Sequence, residues 1–229
     1  MLAFLHTARV HVEPFELLVR QFDDAVPVRH EVRPELLQIA RERGADSEWV
    51  GSRVGEVLRE LERDGAQLIV CTCSTIGGVA EAAAGGCQVM RIDRPVAELA
   101  VSSGRRILLV AALETALQQT LALLKQVASA MQRSNEVVEV PCSQAWAFFE
   151  SGNLSGYLAE IANSINSTAV SGDLVLLAQA SMAPAAELVA RQDITIFSSP
   201  EPGVAAAIAH YRHRRLASRG TPARATERG

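Results

Sequence analysis

The sequence predicts an α/β protein with parallel sheets covered by helices, made of two similar halves. Three observations predict it. Short apolar runs alternate with longer amphipathic stretches along all 229 residues, the rhythm of strand–helix units that pair their strands in parallel. Hydrophobic residues make up 48% of the chain but aromatics only 4%, a balance of Ala, Val and Leu that suits helices packed on buried parallel strands better than an all-β sandwich. Finally, with Cys73 set over Ala180, QLIVCTCSTIGGVAEAA falls over LVLLAQASMAPAAELV, Ser74 over Ser181 and Pro95 over Pro202, the weak self-similarity that marks a duplication.

In chain order, Leu2 to His6 reads as a strand. Glu13 to Ala25 reads as a helix, with Phe15, Leu18, Val19 and Phe22 on one face. Val26 to Val32 is strand-like, and helices follow over Pro34 to Arg43 and Ser47 to Arg63, the second with Asp46 or Ser47 as its N-cap. Gln67 to Thr72 is a short buried strand, and a helix runs from near Thr75 to Gly85-Gly86. Gln88 to Ile92 is a strand, and Pro95 opens the next helix. The second half repeats the pattern. Arg106 to Ala111, Glu136 to Pro141, Asp173 to Ala178 and Ile194 to Ser198 are strands. Glu114 to Gln132, Ser143 to Gly152, Leu154 to Thr168, Ala183 to Arg191 and Val204 to Leu216 are helices. From Ser218 the chain is polar and arginine-rich, and a short disordered tail is expected.

Several function classes are disfavoured. The net charge is −4 and no basic domain stands out, which argues against nucleic acid as a partner. No apolar run approaches the length of a membrane span, and Met1 to His6 is too short for the apolar stretch of a secretory signal. The expected setting is a reducing cytoplasm with four free thiols, Cys71, Cys73, Cys87 and Cys142. Cys71-x-Cys73 lacks zinc spacing, so no metal is expected. Dinucleotide, P-loop, zincin and serine-hydrolase motifs are absent. A homodimer is the base-rate expectation.

Ligands of open α/β sheets bind beyond the carboxyl ends of the strands. That rule selects His6-Thr7, Cys73-Ser74-Thr75, Ala112 to Thr115, and Gln179 to Met182. Cys73 stands where a strand ends and a helix begins. The helix dipole and nearby N–H groups are expected to favour its thiolate there, the alternative being a small buried hydrophobe. Ser74 and Thr75 add hydroxyls, and the first N–H groups of the helix suit a carboxylate. His6 has a reference pKa near neutrality and is a candidate acid/base, with Thr7 beside it. Cys71 and Cys87 read as structural, as does Cys142, although Cys142 follows a strand end. His11, His30, His210 and His213 read as loop or surface residues.

Cys73-Ser74-Thr75 after LIV resembles the first catalytic Cys-Asn-Thr segment of the aspartate/glutamate racemase superfamily, which includes hydantoin racemases, maleate isomerases and arylmalonate decarboxylases. FLHTARVHVEPFELLVRQF, ALETALQQTLALLKQVA, FFESGNLSGYLAEIANSI and LVLLAQASMAPAAELV are similar to further segments of those proteins, from about Leu2 to about Leu216. The resemblance implies two pseudo-symmetric lobes with the active site in the cleft between them. The first lobe would be residues 1–96 with 203–229, the second 97–202. It also implies a cofactor-independent isomerase acting at the α-carbon of a small carboxylate through two opposed thiols. Cys73 and His6 would be catalytic, with Thr7, Ser74, Thr75, Thr115, Ser181 and Met182 around the substrate. The sequence departs from the pattern at Ala180, where the second cysteine is expected, and at Met182, where a histidine is common. His6 or Cys142 is then the hint for a second proton carrier. The alternatives are a one-thiol decarboxylase, or a carboxylate sensor that has lost turnover.

Overall fold

The computed structural model describes residues 1–219, with side chains as far as Arg215. The first sheet contains β1 (Leu2–His6), β2 (Val28–Val32), β3 (Leu68–Cys71) and β4 (Gln88–Arg91), in the order β2-β1-β3-β4. The second contains β5 (Ile107–Ala111), β6 (Val137–Pro141), β7 (Leu174–Leu177) and β8 (Thr195–Ser198), in the equivalent order β6-β5-β7-β8. Every pairing is parallel, with Leu5 beside Cys71 and Val110 beside Leu177. The four inner strands are buried throughout. This is why they appear as unbroken apolar runs rather than alternating ones.

Helices cover both faces. In the first half these are α1 (Val12–Asp23), α2 (Pro34–Arg43), α3 (Glu48–Arg63), α4 (Ser74–Ala82) and α5 (Arg94–Ser102). In the second half they are α6 (Glu114–Ala130), α7 (Ser143–Glu150), α8 (Leu154–Thr168) and α9 (Pro200–Arg219). The expected polar tail is therefore helical as far as Arg219, and its remainder lies outside the described residues. Of the two N-cap candidates of α3, Ser47 serves, its Oγ accepting from the N–H of Val50 at 3.4 Å. Phe15 and Val19 form the buried face of α1, whereas Phe22 is 40% exposed. Among the described residues no helix is long and apolar enough to cross a membrane.

The halves exchange their last helices. Val96, Ala97, Ala100 and Val101 of α5 pack with β5, β7 and α6 of the second sheet. Val204, Ala207, Ile208 and Tyr211 of α9 return to β1, β3 and β4 of the first. A Cβ on Gly203 would collide with Ile92, so glycine lets α9 lie close on the sheet. The halves also meet where α4 lies on α6. There Thr75 Oγ1 is 3.2 Å from Thr115 Oγ1, and Gln119 donates to Asp46 at 2.9 Å.

One expected helix takes another form. Instead of an α-helix over Ala183 to Arg191, residues Ala180–Leu188 form a run of 3₁₀ turns containing Pro184. Proline lacks the N–H an α-helix needs, and its ring would clash with the carbonyl of Ala180 one turn earlier. In the first half Gly77 holds the corresponding position and α4 forms normally. A Cβ on Gly77 would lie 3.1 Å from Arg91 Nε. Arg91 is itself buried, and its guanidinium makes a two-pronged contact with Asp93 at 2.6 and 2.8 Å.

That pair yields a stability prediction. Asp93→Ala strands a buried guanidinium, and urea unfolding should show a loss of about 3–5 kcal/mol. Adding Arg91→Met, which removes the stranded charge, should recover much of it.

Candidate functional site

In both sheets the chain turns one way out of the central strand and the other way into the next, so strand order reverses between β1 and β3 and between β5 and β7. Connections diverge at such switch points and leave a crevice beyond the strand ends. Here the two crevices form one small pocket of about 30 Å³, lined by Thr7, Ala8, Thr72 to Thr75, Leu113 and Gln179 to Ser181, with His11, Leu37, Trp146 and Phe149 closing it. Gln179 fixes the second crevice. Its Oε1 accepts from the N–H groups of Ala112 at 2.8 Å and Leu113 at 3.2 Å, tying the end of β7 to the turn after β5.

Cys73 is the N-cap residue of α4, in extended conformation at φ −96° and ψ 115°. It is the only one of the four cysteines that is not buried. At rest its side chain makes no capping hydrogen bond. Even so, the Thr7 and Thr75 hydroxyls and the N–H groups of Thr75 and Ile76 act on the sulfur as donors that favour its negative form. Burial outweighs them, and the net effect raises the thiol above its ordinary value. The expectation of a resting thiolate is therefore corrected: desolvation exceeds the pull of the helix N-terminus, and the resting group is S–H. The donors nevertheless remain gathered around the sulfur.

Thr7, Ser74, Thr75, Ala180 and Ser181 share the pocket with Cys73. Thr115 stands one step behind, bonded to Thr75. Ser181 Oγ is 2.8 Å from the hydroxyl of buried Tyr157. Met182 does not line the pocket; it is fully buried in the apolar cluster under the second sheet. Cys142 also points into that cluster, its S–H directed at the Val140 carbonyl at 3.8 Å.

His6 is likewise absent from the lining. Its ring is fully buried and both nitrogens are occupied. His6 Nδ1 lies 2.8 Å from the Thr72 hydroxyl, which also faces the Leu5 carbonyl at 3.2 Å, and Nε2 lies 2.8 Å from His30 Nδ1. His30 Nε2 lies 3.0 Å from Glu16 Oε2. Burial, with the charges of His30 and His11, lowers His6 to about 3. Neutral and enclosed, His6 braces the ends of β1, β2 and β3. His30, read from sequence as a loop or surface residue, is part of the same brace on β2.

The residue missed by sequence reasoning is His11. It follows β1 in a 3₁₀ turn (Arg9–His11), lines the pocket and stacks on His6 with centroids 6.2 Å apart. Burial lowers it to about 4, so it is neutral at pH 7. His11 and Cys73 are the titratable groups among the lining residues, and none of the lining residues carries a full charge at neutral pH. Trp146 and Phe149, stacked at 4.7 Å, form the α7 wall. Arg41 lies over Trp146 at 5.6 Å and pairs with Glu150 at 2.7 Å, joining that wall to α2. Among the described residues no group of three or more His, Cys, Asp or Glu side chains is placed to hold a metal ion.

No protein-family model and no curated protein matches the chain in sequence. Solved structures do match in fold. An aspartate racemase from Picrophilus torridus superposes with a TM-score of 0.66 at 16% identity, covering 92% of this chain and 93% of its own. Glutamate racemase from Francisella tularensis, solved with D-glutamate, gives 0.66 at 13% identity, with coverages of 94% and 82%. Allantoin racemase from Klebsiella pneumoniae gives 0.60 at 16% identity, with coverages of 93% and 88%.

Two measurements test the electrostatics. Iodoacetamide attacks the thiolate, so alkylation of Cys73, followed by mass spectrometry, should still be accelerating above pH 9. Thr75→Val, which removes a donor, should shift that profile to higher pH. The second concerns His6. Unfolded chains protonate this histidine below about pH 6.5 while the folded protein does not until about pH 3, so stability falls with pH across that window. Its slope is about 1.4 kcal/mol per pH unit. Urea unfolding free energies between pH 6 and 4.5 should show this slope together with a like one from His11, and His6→Gln should lower the total by about 1.4 kcal/mol per pH unit.

Two parallel α/β lobes, in the same strand order and joined at their strand ends, give this chain the fold of the aspartate, glutamate and allantoin racemases.

Proposed function

We propose that the protein is a cofactor-independent, isomerase-type enzyme that moves a proton at the α-carbon of a small carboxylate or related carbonyl compound, with Cys73 as its acid/base group. The observation that carries this is the location of the sulfur. It sits at the start of α4 among four donors and in one pocket with Gln179, Ala180 and Ser181 of the second lobe. The fold shared with racemases supports racemase-type chemistry in general.

The resting protonation states suit one base and one acid. His11 is neutral and can accept a proton, and Cys73 is protonated and can give one. His11 takes the α-proton and becomes imidazolium, leaving an enediolate. Cys73 S–H delivers its proton to carbon and becomes a thiolate held by the Thr7 and Thr75 hydroxyls and the N–H groups of Thr75 and Ile76. Solvent exchange then restores both groups. The bound carboxylate, held by the Ser74 and Ser181 hydroxyls, raises the basicity of His11 by placing a negative charge nearby. In this scheme His11 supplies the function that Ala180 cannot.

The protonated thiol also favours a second reading. Loss of CO₂ from a malonate-type substrate leaves the same enediolate, and Cys73 S–H alone can protonate it. Measuring CO₂ release beside α-exchange separates the two.

Proton exchange at the α-carbon of a panel of substituted carboxylates in deuterated water, followed by NMR, is the direct test. Cys73→Ala should slow exchange at least about 100-fold with an unchanged circular dichroism spectrum. His11→Gln should slow it comparably, and Ala180→Cys should raise it. Exchange that survives in Cys73→Ala removes the thiol from the mechanism. A panel on which neither the natural protein nor Ala180→Cys shows exchange or CO₂ release sinks the proposal.

A further inference from the structure

Beside the Cys73 pocket lies a larger hollow of about 620 Å³, walled by α1, α8 and the 3₁₀ segment. The two cavities share His11, Phe149, Ala180 and Ser181. They are therefore neighbours, and the small side chain of Ala180 stands in the wall they share. The rest of the larger wall is almost wholly apolar, including Pro14, Leu18, Leu158 and Pro184. Leu17 and Leu154 at its rim are 57% and 42% exposed, unusual for leucines.

We infer that this hollow is the tail subsite of the Cys73 pocket, and that the ligand is a monocarboxylate carrying a large aliphatic or aromatic substituent. The inference rests on the carboxylate chemistry proposed above and specifies its substrate class. Neither cavity is lined by a residue with a full charge at neutral pH. A second carboxylate or an ammonium group, as in an acidic amino acid, would lose its hydration here without an ionic partner, at high cost. A single carboxylate has the hydroxyls and the α4 N-terminus. An apolar tail has a cleft of the form that buries most of a small ligand, with its few polar groups gathered at one end. The 3₁₀ form of Ala180–Leu188 contributes Ala180, Ser181, Ala183 and Pro184 to this wall.

The probes are straight-chain carboxylates from acetate to decanoate, with glutarate as the dicarboxylate control. Binding is measured by calorimetry, and occupancy of the head site by slowed iodoacetamide alkylation of Cys73. Affinity should rise about three- to fourfold per methylene until the hollow is filled. Protection of Cys73 should rise in parallel, and glutarate should bind no more tightly than acetate. Ala180→Phe, which thickens the shared wall, should abolish the length dependence of protection. The surface pair Leu17→Glu and Leu154→Glu, which leaves the core intact, should flatten the length dependence of affinity.

Protection that is equal for acetate and decanoate overturns the tail subsite and leaves the Cys73 chemistry standing. Length-dependent binding without protection overturns it too, because the hollow would then act apart from the sulfur. Sedimentation of a dimer that the Leu17→Glu, Leu154→Glu pair splits would make the hollow a contact between copies of this chain and overturn the inference. Length-dependent protection in a protein with no α-exchange or CO₂ release would keep the subsite and sink the chemistry.

Discussion

The site depends above all on the close contact of α4 with α6, which turns the carboxyl ends of the two sheets toward each other. Gly77 and Gly78 leave room for Arg91 and Gln119 beneath α4, Thr75 meets Thr115 across the contact, and Gln119 reaches Asp46. Each crevice alone is only a gap beyond two strands. Facing each other, they enclose a thiol from one lobe and the Gln179 turn from the other. The buried Arg91–Asp93 pair lies directly under the same helix, so the fold's most strongly desolvated ion pair and its candidate acid/base group share a support.

Desolvation also governs the electrostatics. It keeps Cys73 protonated, holds His6 and His11 neutral and leaves the pocket without full charge. In such surroundings a charge that appears during reaction interacts strongly with fixed donors. The donors around Cys73 would thus interact more strongly with a thiolate than with the resting thiol. His6 is braced by Thr72 and His30 and orders the strand ends, while His11, one turn later, faces the cavity.

The two halves differ in form at their equivalent strand ends after β3 and β7. In the first, a thiol precedes a regular helix whose N-terminus favours negative charge. In the second, the equivalent Ala180 opens a proline-containing 3₁₀ run that walls an apolar hollow. One crevice thus holds a thiol beside a helix N-terminus, while the other supplies apolar lining.

By itself the sequence determined the strand–helix alternation, the buried inner strands and the placing of Cys73 at a strand end, because these follow from local periodicity and from where a parallel strand must stop. It also held the signal of the 3₁₀ segment in Pro184, which conflicts with a helix starting at Ser181 as α4 starts at Ser74. Only the tertiary structure decided the rest. His11 and His6 are five residues apart with similar local context, yet one faces the cavity and the other is sealed by Thr72 and His30. Trp146 and Phe149 become lining because Arg41 and α2 of the other lobe lie against them. The thiol of Cys73 is neutral because both lobes desolvate it. Burial and facing are sums over residues far apart in the chain, and no local pattern encodes them.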